Sequence, residues 1–267
     1  MTAHLFSKSL LGAFLLTALF GLSNILFNFS HSTFYYLWSF LANFLVTLVL
    51  GYYAINSTLV GLKLSVSLFL IYFLIGNFNI LIEALIFNVT DQAETIKEVF
   101  NGFCTILVFS PFFVYLLGKW KSIPLQINSV PRSIFNWIWR IVVAYLLYLF
   151  VYLLAGFILQ TAYPPLMTFY EDKIPPVDLI FQTQILRALI FAGITILILK
   201  TTDLKIFIKA ILIGVVFSIL GGVAPLIPPN EFMPYYIRLG HFFEVGISNF
   251  IYGFLVAYLL SQKKQTG

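Results

Sequence analysis

The sequence predicts an all-α fold: a polytopic integral membrane protein built as a bundle of about eight transmembrane helices. Three observations carry that expectation. Hydrophobic residues make up 61% of the chain and charged residues 9%, where a soluble globule would carry roughly a quarter charged. The apolar residues arrive in runs of about 20, the length that crosses a bilayer as a helix rising ~1.5 Å per residue. The lysines and arginines stand at the ends of those runs, mostly on one side. Spans and short loops use up the 267 residues, so a single transmembrane domain over 1–267 is expected, with no room for a soluble domain.

The first span, 10–27, lies behind Lys8. It reads as a retained helix, because the apolar run continues past the small residues Gly21 and Ser23 that a signal cleavage site would use. The second, 34–55, opens with Tyr35, Tyr36 and Trp38 and closes with Tyr52 and Tyr53, an aromatic belt at each interface. The third, 64–86, follows Lys63 and carries Asn77, Asn79 and Glu83 in its second half. The fourth, 97–118, follows the Asp91-x-x-Glu94 spacing of a capped helix start, and Pro111 is expected to kink it. A polar linker over 122–133 separates the halves. The remaining spans are 137–159, 179–199, 207–224 and 236–260.

All Lys and Arg residues except Lys97, Lys173, Arg187 and Arg238 fall on one side of this arrangement, Lys263 and Lys264 included. The positive-inside rule therefore places both termini in the cytoplasm, in a plasma membrane and most simply a bacterial inner membrane. Asp91, Glu94, Glu171, Asp178 and Glu231 fall in the opposite, outer loops without having been used in that assignment. Proline pairs in the outer loops, as in Tyr163-Pro164-Pro165, are expected to form stiff extended caps. The basic residues are dispersed and make no nucleic-acid-binding run, so no nucleic acid partner is expected and membrane lipids are the expected surroundings. The lone cysteine, Cys104, excludes an internal disulfide and reads as a small buried hydrophobe. No cofactor is expected.

Ionisable groups inside a membrane are costly, roughly 2.5–3.5 kcal/mol each on the insertion scale, and so mark functional sites. Here they lie, with amide and hydroxyl groups beside them, in the outer halves of three spans: Asn79 and Glu83 on the third, Gln184 and Arg187 on the sixth, and His241, Glu244 and Ser248 on the eighth. At 100° per residue, His241, Glu244, Ser248 and Tyr252 share one face of the last helix, while Gly246 and Gly253 mark another where a neighbour can approach closely. The three spans are therefore expected to converge, with Arg187 between Glu83 and Glu244, around a polar cavity open to the exterior and floored by an apolar plug. The inner halves read as almost free of such groups.

The leading expectation is a protein that binds or transports a small polar or amphipathic ligand, with Arg187 holding an anionic group and Glu83, His241, Glu244, Asn79, Gln184 and Ser248 as polar partners. Two alternatives stand beside it. An intramembrane metal-dependent hydrolase or transferase acting on lipid or peptide would use His241, Glu244 and Glu83 as metal ligands, since His-x-x-Glu puts two ligands on one helical face. A non-catalytic membrane subunit or scaffold would use the same groups as structural ion pairs. The segment from Glu83 to Asn88 resembles the Glu-Glu-x-x-Phe-Arg motif of the CAAX-protease-like intramembrane peptidases at Glu83 and Phe87. Ala84 and Asn88 replace its second Glu and its Arg, and no membership of that family follows.

Overall fold

The computed structural model describes residues 2–121, 132–229 and 233–261. Among them it is helical throughout, without strands. Eight helical stretches are long and apolar enough to cross a membrane, matching the number expected. Helix α1 is Thr2–Leu26 and α2 is Thr33–Asn56, the latter capped by the Ser32 hydroxyl. The third span is α3 (Gly61–Phe73), a π-helical turn π1 (Leu74–Phe78) and α4 (Asn79–Ile86). Helix α5 (Gln92–Leu116) starts at Asp91, whose carboxylate accepts from the Glu94 N–H, and runs on through Pro111. Helix α6 is Ile134–Ala162, α7 is the short Pro164–Tyr170 and α8 is Val177–Thr201. The seventh span is α9 (Ile206–Ser218), π2 (Ile219–Val223) and α10 (Ala224–Leu226), and α11 (Tyr235–Leu260) is the eighth.

The helices form two groups of four spans that repeat one packing pattern. In the first group α1 packs on α2 and α5, and α3 packs on α5; in the second α6 packs on α8 and α11, and α9 packs on α11. The π-broken helix is the third span of each group, and the two π turns touch where the groups meet. A π turn adds a residue to the backbone ring, here closing Asn79 N–H on Leu74 O and Ala224 N–H on Ile219 O. Glycine permits a close backbone-to-backbone contact in the second group: a Cβ on Gly253 would lie 2.9 Å from the Gly214 Cα. That is the close approach the sequence assigns to the Gly246 and Gly253 face, with α9 and π2 as the neighbour.

The basic residues gather at one end, where they close helix C-termini. Lys119 Nζ donates to the Ser57 carbonyl at 3.0 Å, Lys209 Nζ to Leu199 at 2.7 Å, and Arg132 and Arg140 donate to the carbonyls of Leu259, Leu260 and Ser261 that end α11. Burial pulls the Lys119 amine below its ordinary pKa. Nearby, Thr58 N–H donates to Thr201 O at 2.8 Å, and the buried Tyr53 hydroxyl meets Ser67 and Thr201 at 2.5 and 2.9 Å. This half of the bundle is thus richer in polar contacts than the sequence suggests, because buried hydroxyls pair with one another and with backbone groups across helices.

Cys104 is exposed on the outer face of α5, where burial was expected. Pro164 and Pro165 begin α7, where the sequence suggested an extended cap; proline fits the first helical turn because its missing N–H is unpaired there anyway. Lys263, Lys264, Glu231 and most of the 122–133 linker lie outside the described residues.

Candidate functional site

At the end opposite the basic residues, a cavity of about 410 Å³ lies between α4 of the first group and α6, α8 and α11 of the second, with Leu166 and Tyr170 of α7 also in its wall. Glu83, Arg187, His241, Glu244 and Ser248 all line it. The three predicted spans do converge.

Arg187 and its partners form the buried side of the site. Its guanidinium is 4% exposed; Nη1 lies 2.7 Å from Glu83 Oε1 and donates to Gln184 Oε1 at 3.3 Å, and Nε donates to Asn79 Oδ1 at 3.2 Å. Asn79 and Gln184 are therefore brought to the cluster behind Arg187, outside the cavity lining. The π1 turn sets this geometry: Asn79 opens α4 directly after it, and Glu83 follows one turn later on the same face. Asn88, in left-handed conformation at φ 49°, ends the segment.

Glu244 is not bonded to Arg187. Its Oε2 lies 3.1 Å from His241 Nδ1, and His241 Nε2 lies 3.0 Å from the Tyr170 hydroxyl. A carboxylate oxygen accepts, so the proton of this contact lies on Nδ1, and in the neutral imidazole Nε2 then accepts from the phenol. Tyr170 comes from α7 and is held above its ordinary pKa by burial first and then by the Glu83 and Glu244 carboxylates, so its hydroxyl keeps its proton and donates. Both nitrogens of His241 are thus engaged. Among the described residues no three His, Cys, Asp or Glu side chains come together as a metal-ligating group, so His241, Glu244 and Glu83 do not assemble as the three-ligand set considered above.

The floor is aromatic. Tyr148 lies 5.3 Å from Phe191 and 5.0 Å from Tyr252 between ring centroids, and Phe191 lies 4.6 Å from Phe217. This is the apolar plug expected below the polar half. Tyr252 is completely buried, lines the cavity, and its hydroxyl has no hydrogen-bond partner among the described residues. Beside it, Asn249 Nδ2 donates to the Gly221 carbonyl of π2 at 3.2 Å, tying α11 to the second π turn. Arg238 fastens the rim by donating to the carbonyls of Leu226, Ile227 and Pro228.

Sequence reasoning missed Tyr148, Tyr152 and Tyr170, which line the cavity, and Gly156, which widens it. The only signal for the tyrosines was their number on and beside the fifth span, where an interfacial role is the simpler reading. Gly156 offered none. The cavity also reaches the flank of the bundle, since its wall includes Leu153 and Phe157 of α6, which are 47% and 64% exposed.

No protein-family model matches the chain, and no curated protein and no solved structure matches it.

Proposed function

We propose that this multi-pass membrane protein binds or transports a small polar or amphipathic ligand, which it takes into the cavity between α4, α6, α8 and α11. The observation that carries the reading is the coincidence of the intramembrane charges with the cavity: Glu83, Arg187, His241 and Glu244 all border one space. Scattered structural ion pairs would have no reason to share a void of about 410 Å³, which lies within the ~300–1,000 Å³ of ligand sites. The two π-broken helices occupy corresponding positions in the two groups and meet beside the cavity, as interrupted helices do around transporter sites. By the positive-inside rule the mouth faces the exterior of a plasma membrane, with both termini cytoplasmic.

Photo-crosslinking tests the reading. An amphiphile carrying a diazirine in its tail, added to the protein in nanodiscs, is expected to label peptides 148–160 and 241–252 saturably. Labelling spread evenly over all outward-facing helices, without competition by unlabelled amphiphile, would contradict it.

A further inference from the structure

The charge that faces the cavity is not the one that Arg187 carries. Its guanidinium is 4% exposed and already bonded to Glu83, Asn79 and Gln184, and it lies over the Tyr148 and Tyr152 rings at 5.8 and 6.0 Å. Glu83, in contrast, is 31% exposed and engages Arg187 through Oε1. Glu244 lines the same space and bonds only through Oε2 to His241 among the contacts that fix it. With the His241 imidazole neutral, one guanidinium stands against two carboxylates.

An anionic head would have to draw Arg187 away from Glu83 and strand a carboxylate in a low-dielectric site. A cationic head disturbs neither pair. The surrounding rings suit it too, because Phe87, Tyr170 and Tyr252 border the cavity and aromatic faces attract ammonium groups. The buried Tyr252 hydroxyl, without a partner among the described residues, is a polar atom at the floor that a bound group would satisfy. Away from the carboxylates the wall is apolar, formed by Ile80, Leu153, Gly156 and Phe157, and it reaches the flank at α6.

We propose that the ligand is an amphipathic organic cation, an alkylamine or quaternary ammonium whose head lies between Glu83 and Glu244 and whose tail runs along α6 towards the lipid. This rests on the ligand-binding reading given above and names the ligand class.

The test compares three probes with the same ten-carbon tail, decylammonium, whose N–H groups can reach the Tyr252 hydroxyl, decyl phosphate and decyl maltoside, by equilibrium binding to the full-length protein in nanodiscs. The expected result is saturable binding of the ammonium at least ten-fold tighter than of either other probe, and a further ten-fold or greater loss in Glu244→Gln. Glu83→Gln is expected to act in the same direction. Because it also releases Arg187, Glu244→Gln and Tyr252→Phe, whose backbones and packing are undisturbed, keep the test valid if Glu83→Gln fails to fold. Tyr252→Phe is expected to weaken binding several-fold. Preference for the phosphate, or equal binding of all heads with no effect of Glu244→Gln, would overturn the cationic class while leaving a ligand site standing. Failure of every probe to bind would remove the site itself.

Discussion

Nη1 of Arg187, from the sixth span, lies 2.7 Å from Oε1 of Glu83, from the third, and this pair joins the two four-helix groups at the cavity wall. It is buried on the arginine side and partly open on the glutamate side. Removing the cation leaves a carboxylate uncompensated inside the membrane, whereas removing both charges does not. Arg187→Met is therefore expected to lower stability by about 3 kcal/mol or more, and the double variant Arg187→Met/Glu83→Gln to recover most of the loss. Thermal unfolding in detergent of the two single variants and the double closes that cycle; purely additive losses would mean the pair is not coupled.

Gly156 separates a ligand site from a packing defect. A Cβ there meets nothing within 4 Å, and the residue lines the cavity. Gly156→Phe is expected to fill the void and abolish ligand binding with no loss of stability, since replacing a mid-helix glycine relieves up to ~1 kcal/mol of unfavourable helix propensity. Gly193→Leu, on an exposed part of α8 where an added Cβ also meets nothing, is the control that should leave binding unchanged. Binding curves and melting temperatures for both variants decide the point.

Gly253 should respond in the opposite way. Its Cβ would fall 2.9 Å from the Gly214 Cα and 3.0 Å from the Gly214 N, so alanine must push α9 and α11 apart. Backbone cannot yield as a flexible side chain does, and Gly253→Ala is expected to cost about 1–3 kcal/mol, read as a lowered melting temperature. An unchanged melting temperature would show that the two helices are not in contact there.

The phenol of Tyr170 carries a pH dependence. Its pKa is raised above the ordinary value of 10.0 by burial and the neighbouring carboxylates. The folded protein therefore holds this proton more tightly than the unfolded chain. The associated stability is complete below pH ~10 and is lost as pH rises above it. Ultraviolet difference titration is expected to show a group of tyrosines ionising later in the folded protein than in the unfolded chain, and Tyr170→Phe to lower that late component by one equivalent. A wild-type titration unaltered by Tyr170→Phe would contradict the burial of this hydroxyl against His241.

The bundle was legible in the sequence because hydrocarbon imposes a length and a composition that soluble folds do not share. The shared face of His241, Glu244, Ser248 and Tyr252 was legible for the same kind of reason: 100° per residue fixes it in any straight helix, and all four line the cavity. What could not be read depended on tertiary contact. The π turns at Leu74–Phe78 and Ile219–Val223 have no local sequence preference strong enough to announce them, and they arise where the two groups meet. Arg187 was expected between both glutamates. It bonds Glu83, while Glu244 turns to His241 because α7 brings Tyr170 against the other side of the imidazole. That choice rests on a short helix the sequence presented as a proline cap.

The central claim, that the cavity between α4, α6, α8 and α11 holds a ligand, is tested most directly by native mass spectrometry of the protein released from gently solubilised membranes. The account predicts a bound small amphipath near one per chain in the wild type and in Gly193→Leu, and its loss in Gly156→Phe. An identical bound-species profile in all three proteins, or no bound species in any of them even after incubation with amphiphiles, would contradict it.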